Sequence, residues 1–297
     1  EGGGEVGAVT PGSDGTGVVT AGAVRRWLEL GVIVGEQVVA IGTGRRLTRA
    51  VSWLRSQGST VVGPIAPSRV LGIGGRPTAS YVRVKDERGS SKIECDAVLV
   101  GGPSTGVYEL AGQAGAQVRF DGRGFWVSAD DDGRTAHPRT FAVGRCTGRG
   151  RGGEGSFDQA TAAGVAAATG RDQVPHEAAP APLRDPVVLP GGKSDKVFVC
   201  RCEDVTLHEL EQASARGHRD LEAAKRYTGF GTGWCQGKQC VAACARLLAA
   251  VGGECASEPI TPRPPFHPVR LAYLAGLSDG EEDADGNAED TDAGHPV

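Results

Sequence analysis

The chain has 297 residues and a formal net charge of −4 at pH 7. This length predicts one large domain or two small ones. The acidic charge, without a basic aromatic patch, argues against a nucleic-acid partner. No apolar run is long enough to span a bilayer, and the first residues do not form a signal segment. The sequence contains no methionine, which predicts that it starts inside a longer product or follows processing.

The first part of the sequence has the pattern of a nucleotide-binding unit. Residues 1–17 are rich in glycine and are expected to be weakly structured. There follow a helix over residues 20–30, a buried strand over 36–41, a Gly42-Thr43-Gly44 turn, a helix through Trp53, and a strand over 59–62. This is the βαβ pattern that binds dinucleotides. It predicts that Gly42 and Gly44 bind a cofactor.

The glycine fingerprint is incomplete in two places. Leu47 occupies the third glycine position, where glycine permits close packing of the helix on the strand. The second strand ends in Val-Val-Gly-Pro at residues 61–64, so the acid that would bind a ribose hydroxyl is absent. Two interpretations stay open: a real nucleotide site, or a Rossmann-like unit that is kept for its fold.

Further strands are predicted in the next segment. Alternating residues with polar turns predict a meander of three strands, over residues 70–73, 81–85 and 92–95. Residues 95–100 form another buried strand, which ends in a glycine turn. The first part of the chain is therefore expected to have an α/β fold.

Four cysteines near the C-terminus form two close pairs. Cys200 and Cys202 are spaced as C-x-C at the end of a short strand over residues 196–199, and Cys235 and Cys240 as C-x4-C. Thiolates are soft ligands, and four of them that converge suit zinc or an iron–sulfur cluster. Cys244 lies one helical turn after Cys240 and is interpreted as a small core residue. The alternative is that it replaces one of the four ligands.

The segments around these cysteines predict a small helical unit. Thr206 and Glu209 have the spacing of a capping box, which starts a helix that ends at Gly217. A second helix is predicted over residues 220–228 and a third over residues 240–251. Backbone N–H groups at the start of the third helix are expected to face the negatively charged sulfurs.

Three motifs here, VCRCEDVT, KRYTGFGTG and CQGKQC, resemble the helical 2Fe-2S module related to bacterioferritin-associated ferredoxin. That module occurs in the larger subunits of flavin-dependent proline and hydroxyproline dehydrogenases, opine oxidases, hydrogen cyanide synthase and heterotetrameric sarcosine oxidase. The resemblance implies that Cys200, Cys202, Cys235 and Cys240 ligate a 2Fe-2S cluster. A structural zinc ion on the same four thiolates is the alternative.

The resemblance extends to the disulfide-reductase-like part of those subunits. Residues 140–144 are similar to the last strand of their FAD domain, and residues 157–168 to the helix after it. The family usually has an aspartate after Gly144 that holds the flavin ribityl chain, whereas this sequence has Arg145. Arginine cannot accept that hydrogen bond, but it can bind a phosphate. The first FAD-binding βαβ unit of the family would precede residue 17 and is missing here. Gly144 and Arg145 join Gly42 and Gly44 as candidate residues for FAD or NAD(P).

The predicted fold class is α/β, with a partial FAD/NAD(P)-binding Rossmann domain followed by a small helical 2Fe-2S-binding domain. The predicted boundaries are a Rossmann-like domain at 1–171, a Pro/Ala-rich linker at 172–195, the 2Fe-2S domain at 196–256, a proline-rich docking segment at 257–277, and a disordered acidic tail at 278–297.

The function that the resemblance implies is electron transfer in a hetero-oligomeric flavin dehydrogenase that acts on an amine or imino acid. Substrate chemistry would lie in an FAD-containing, beta-type partner subunit, because no catalytic base is evident here. A cluster motif in a chain of this size predicts reduced cysteines and a cytoplasmic location. The alternatives are a scaffold subunit with structural zinc, and an NAD(P)H-dependent flavin reductase.

Overall fold

The computed structural model describes residues 3–5, 9–87, 89–148, 154–169, 196–252, 258–264, 269–271 and 275–276. Residues up to Pro262 form one compact unit, and those from Arg263 onward form a second. The predicted linker at 172–195 and the acidic tail at 278–297 lie outside the described residues. Described residues up to 169 are called the N-terminal part below, and residues 196–252 the cysteine module.

A parallel four-stranded sheet forms the centre of the N-terminal part. Its strands are β2 (Val18–Thr20), β3 (Gln37–Gly42), β4 (Thr60–Ile65) and β8 (Ala97–Gly101), in the order β2-β8-β3-β4. Two helices, α1 (Ala21–Glu29) and α2 (Arg45–Ser56), follow β2 and β3. The predicted βαβ unit is confirmed.

Both faces of this sheet are covered, which explains why β3 reads as an uninterrupted apolar run. Alternate strand residues point to opposite faces. Val38 and Ala40 of β3 pack in the core on the side of α1 and α2. Val39 and Ile41 pack in a second core with the strands of the meander.

The meander consists of β5 (Val70–Gly74), β6 (Tyr81–Asp86) and β7 (Gly89–Glu94), which pair antiparallel in that order. It confirms the three predicted strands, although β7 begins at Gly89 rather than at residue 92. Val82 and Val84 of β6 are buried and their neighbours are more exposed. This alternation is the signal that predicted the strand.

The expectation that residues 1–17 are weakly structured was wrong for the part that is described. The strand β1 (Gly3–Glu5) pairs antiparallel with β9 (Ser104–Gly106). The backbone oxygens of Pro11 and Thr16 each accept a hydrogen bond of 2.8 Å, from the N–H groups of Ile73 and Ala79. These contacts order a glycine-rich segment that has no local signal of its own.

A smaller set of elements completes the N-terminal part: α3 (Glu109–Gln113), the hairpin of β10 (Val118–Phe120) and β11 (Phe125–Val127), and α4 (Glu154–Ala168). The helix predicted over 157–168 is confirmed as part of α4. The strand expected over 140–144 is reduced to one isolated bridge between Arg134 and Phe141. A 3-10 turn at Gly144–Thr147 follows it, so this backbone leaves the extended conformation before a ladder can form.

The cysteine module contains two short strands, β12 (Phe198–Cys200) and β13 (Val205–Thr206), and three helices, α5 (Leu207–Ala215), α6 (Leu221–Thr228) and α7 (Val241–Ala250). The predicted capping box is present. Thr206 Oγ1 accepts a hydrogen bond from the N–H of Glu209 at 3.4 Å, and Glu209 Oε2 accepts one from the N–H of Thr206 at 2.8 Å. All three predicted helices are confirmed.

The cysteine module and the N-terminal part have one hydrophobic core in common, which is called the shared core. Its larger side chains include Tyr108, Phe120, Phe125 and Val127 from the N-terminal part and Leu207, Leu210, Phe230 and Leu248 from the cysteine module. The ring centroids of Phe120 and Phe125 are 4.9 Å apart. Arg201 Nη2 also donates a hydrogen bond of 2.6 Å to the carbonyl oxygen of Ser13. The two parts are therefore packed against each other through side chains.

None of the described helices is long and apolar enough to cross a membrane.

Candidate metal centre and nucleotide-binding turns

The four predicted cysteine ligands lie in and beside the shared core. Cys200 ends β12, and Cys240 caps the N-terminus of α7. Their exposed fractions are only 1% and 2%. Cys202 follows β12 and is half-buried, and Cys235 is buried in the glycine-rich turn before α7. Residues that are distant in sequence are thus brought to one region by the antiparallel β12–β13 pair and the start of α7.

The structure joins these thiols in two pairs. Cys200 is hydrogen-bonded to Cys240, and Cys202 is hydrogen-bonded to Cys235. Cys240 is also hydrogen-bonded to Cys244. Each pair takes one thiol from the C-x-C motif and one from the C-x4-C motif. Among the described residues, no group of three or more Cys, His, Asp or Glu side chains is placed to hold a metal ion. The two pairs lie next to each other, because Cys202 also interacts with Cys200, and Cys240 with Cys235.

The surroundings of Cys200 and Cys202 raise the pKa of both thiols. The pKa of Cys200 is raised by its hydrogen bond with Cys240 and by burial. Burial, followed by the hydrogen bond with Cys235, raises the pKa of Cys202 to about 11. Thiolate ligands in such a site require a bound cation to offset the cost of buried negative charge.

Backbone donors favour thiolates at the same position. The N–H groups of Gly231 and Glu203 donate to the sulfur of Cys200, and that of Cys235 donates to the sulfur of Cys202. Hydrogen bonds to a charged form stabilise that form. The donor set therefore fits an anionic, thiolate-ligated cluster.

The glycine-rich turn approaches Cys202 closely. A Cβ atom added at Gly233 would overlap the Cβ of Cys202 and would lie 2.7 Å from Glu203 Oε1. A larger residue at position 233 would therefore displace a candidate ligand. Cys244, by contrast, is fully buried on α7 and interacts with Cys240, as expected for a core residue.

The G-x-G turn after β3 contains two glycines with different constraints. Gly42 has φ +112°, and a Cβ atom there would overlap the carbonyl oxygen of Gly101 on β8. Gly44 has φ +109°, with no atom within 4 Å of an added Cβ. Strand packing alone therefore requires glycine at position 42, whereas Gly44 faces open space.

The missing third glycine of the fingerprint has a structural explanation. Leu47 is 1% exposed, and an added Cβ at Gly101 would lie 2.6 Å from its Cβ. Close contact between α2 and the sheet is kept because the small residue lies on the strand instead of on the helix. No acidic residue occurs in β4, the segment where a ribose-binding acid was expected. These findings favour a role of this turn in the fold.

We expect Leu47→Ala to lower the free energy of unfolding by about 2–5 kcal/mol, because it leaves a cavity between α2 and β8. The change can be measured by urea denaturation followed by circular dichroism. Leu30→Ala is the matched control, since Leu30 is 70% exposed at the end of α1. Equal losses in the two variants would contradict the packing role of Leu47.

The other candidate cofactor residues, Gly144 and Arg145, lie in the 3-10 turn after the isolated bridge. The N–H of Gly144 donates to Gln159 Oε1 of α4 at 3.3 Å, and a Cβ added at Gly144 would meet no atom within 4 Å. Arg145 is half-buried. This turn belongs to a different part of the fold from the G-x-G turn, since it follows the β10–β11 hairpin and precedes α4.

Three buried polar atoms in and directly before the β10–β11 hairpin have no hydrogen-bond partner. They are Gln117 Oε1, Arg119 Nε and Trp126 Nε1. Arg119 and Trp126 are directly opposite in the hairpin register, and a Cβ added at Gly148, at the end of the turn, would lie 3.0 Å from the Trp126 ring. A buried polar group without a partner is costly. Arg119 Nε and Trp126 Nε1 can donate hydrogen bonds, and Gln117 Oε1 can accept one. These groups fit a ligand with phosphate oxygens, ribityl hydroxyls or polar ring atoms, as FAD or NAD(P) has.

The sequence did not predict an ion pair between two residues near the cysteines. Glu109 of α3 is buried, and its Oε1 lies 3.9 Å from Nζ of Lys238, in the turn between Cys235 and Cys240. The QGK sequence marked Lys238 as part of the motif but suggested no partner for it. No local pattern could have connected it with Glu109.

Comparison with known proteins places these features in context. Residues 194–277 match the family described as the sarcosine oxidase A3 domain. The alpha subunit of sarcosine oxidase from Corynebacterium sp. (strain P-1) is 28% identical over 91% of this chain and 32% of its own length. An opine oxidase subunit from Rhizobium meliloti (strain 1021) is 34% identical over 37% of this chain and 25% of its own length.

Two further matches agree with these. A hydrogen cyanide synthase subunit of Pseudomonas aeruginosa is 35% identical over 27% of this chain and 17% of its own length. The matched residues of this chain therefore cover less than a third of the length of each of these three relatives. The crystal structure of L-proline dehydrogenase from P. horikoshii has a TM-score of 0.67 at 19% identity, and the match covers 92% of this chain and 57% of that chain. The chain is therefore homologous to subunits of sarcosine oxidase, opine oxidase and hydrogen cyanide synthase, and it has an α/β fold similar to that of the proline dehydrogenase.

Proposed function

We propose that this chain is the iron–sulfur electron-transfer subunit of a multi-subunit, flavin-dependent dehydrogenase or oxidase that acts on an amine or imino acid. The observation that carries the proposal is the arrangement of Cys200, Cys202, Cys235 and Cys240 as two adjacent thiol pairs. A 2Fe-2S cluster has two irons held by four thiolates. The homology of the chain to subunits of amine-type oxidases supports the same assignment.

The residues of the cysteine module would bind and shield such a cluster. The four cysteines supply the ligands, and the N–H groups of Gly231 and Glu203 donate to the sulfur of Cys200. The shared core excludes water from the side of Cys200 and Cys240. When bound, a 2Fe-2S cluster supplies a one-electron relay, which can carry the electrons of a two-electron flavin singly.

Substrate oxidation belongs, in this proposal, to an FAD-containing beta-type partner subunit in a hetero-oligomer. We assign no catalytic residue to this chain. FAD or NAD(P) would bind at one of two separate turns. The first contains Gly42 and Gly44, and the second contains Gly144 and Arg145, with the unpartnered atoms of the nearby β10–β11 hairpin as polar contacts. A reducing compartment such as the cytoplasm suits the seven free cysteines among the described residues.

A structural zinc ion is the alternative occupant of the cysteines. Zinc requires its four ligands around a single ion. The pairing of thiols is compatible with two metal ions. The resemblance of the three sequence motifs to a 2Fe-2S module favours the cluster over zinc.

Metal and sulfide analysis of the full chain, purified without oxygen, tests the proposal. We expect about two iron and two acid-labile sulfide ions per chain, and a visible spectrum that bleaches on reduction. The reduced protein should give an electron paramagnetic resonance signal from one unpaired spin. A colourless protein with about one zinc ion per chain and no sulfide would overturn the electron-transfer assignment.

A further inference from the structure

An ion pair connects the loop between two candidate ligands with the N-terminal part. Lys238 lies between Cys235 and Cys240, and its Nζ is 3.9 Å from Glu109 Oε1 at the start of α3. Only 10% of the Glu109 side chain and 33% of the Lys238 side chain is exposed. Charges in a partly buried position are less screened by solvent than surface charges are.

Glu109 is also fixed next to the shared core. Its Oε2 accepts a hydrogen bond of 3.0 Å from the N–H of Tyr108. The Tyr108 side chain is buried in the same core as Cys240. Glu109 is therefore held beside a residue that lies in the same core as a candidate ligand.

We propose that the Glu109–Lys238 ion pair sets the reduction potential of the cysteine site. This inference rests on the proposed 2Fe-2S cluster. Reduction adds one electron to a centre that four thiolates already make negative, so a nearby cation favours the reduced state and a nearby anion opposes it. Net local charge is one of the factors that set the potential of iron–sulfur centres. Lys238 acts from the ligand loop, and Glu109 partly cancels it from the N-terminal part.

Reductive titration of the full chain, followed by electron paramagnetic resonance, tests the sign of each contribution. Glu109→Gln should raise the midpoint potential, because it removes the negative charge that offsets the Lys238 cation. Lys238→Gln should lower it, because it removes the positive charge and keeps the carboxylate. We expect each variant to change the reduced-to-oxidised ratio at a fixed potential by up to about tenfold, or about 59 mV for a one-electron couple. The double variant should return towards the wild-type value.

Matched controls separate this effect from a general change in charge. Glu211→Gln removes a carboxylate from an exposed position of α5, and Arg226→Gln removes an exposed cation from α6. Both should leave the potential close to that of the wild type. Glu109→Asp and Lys238→Arg keep the charges and should do the same, which separates the effect of the charge from that of any change in the side chain.

The outcomes distinguish this inference from the proposed function. A wild-type chain without iron and sulfide would overturn both. The inference alone would be overturned if the wild-type chain holds a cluster but the two neutral variants do not shift its potential as expected. This is the case if Glu109→Gln and Lys238→Gln shift the potential in the same direction, or by no more than the controls do. A purely structural ion pair would reduce cluster content in both variants without shifts of opposite sign.

Discussion

Cys200→Ala is expected to remove nearly all bound iron and sulfide from the purified chain, from about two of each to close to none. Cys200 is buried at the end of β12 and is paired with Cys240. Alanine offers no ligand atom, and no water can easily replace the sulfur in a buried position. Iron and sulfide analysis, together with the visible spectrum, measures the loss.

Cys244→Ala is the control for that experiment. It removes a thiol from the same buried region, one helical turn after Cys240. Because Cys244 is interpreted as a core residue, this variant should keep its iron and lose only some stability. Loss of iron in Cys244→Ala with retention in Cys200→Ala would exchange the roles of the two residues and contradict the predicted ligand set.

Gly42→Ala is expected to destabilise the fold by more than about 4 kcal/mol, which is exceptional for one substitution. The added methyl group would overlap the carbonyl oxygen of Gly101 in the neighbouring strand, at a backbone φ of +112° that side chains rarely adopt. Neither atom can move without breaking the β3–β8 pairing. Urea denaturation, or the loss of soluble protein on expression, measures the effect.

Gly44→Ala is the matched comparison in the same turn. The φ angle of Gly44, +109°, is as unusual as that of Gly42, but a Cβ atom added at Gly44 would meet no atom within 4 Å. We therefore expect only the backbone cost, about 1–3 kcal/mol. If the two variants were equally unstable, close strand packing would not be the reason for glycine at position 42. A folded Gly44→Ala protein would also allow its affinity for NADH or FAD to be compared with that of the wild type.

Local signals were sufficient to predict most of the elements. The capping box of Thr206 and Glu209 fixed the start of α5, because both of its hydrogen bonds are made within one turn. The uninterrupted apolar run of β3 predicted a strand that is buried on both faces, and the alternation in β6 predicted a strand with one buried face. In each case the information lies within a few consecutive residues.

Contacts between distant segments could not be predicted in this way. The pairing of β1 with β9 involves three residues on each strand, too few to produce a pattern. The contact between Leu47 and Gly101 depends on the packing of α2 against β8. From the sequence, Leu47 indicated only an incomplete fingerprint, because the glycine that compensates for it lies in another element.

The candidate metal centre likewise combines a local signal, which the sequence contains, with contacts between distant segments, which it does not show. The spacing of the cysteines predicted the ligand set, but it could not show which thiol lies next to which. The crossed pairing depends on the position of α7 relative to β12, which the shared core determines. The contact of Lys238 with Glu109 has the same origin, since it joins the ligand loop to a short helix of the N-terminal part.

Some redox proteins carry electrons on a tethered domain that swings between a donor and an acceptor. Such a shuttle must separate readily from each docking position. Here, separation of the cysteine module would expose aromatic side chains such as Tyr108, Phe120 and Phe125, at a cost of about 1.5–3 kcal/mol for each large side chain. The module is therefore stationary on the N-terminal part. If the module carries the proposed cluster, any electron donor and acceptor must both come to it, and electrons would cross distances that the fold holds constant.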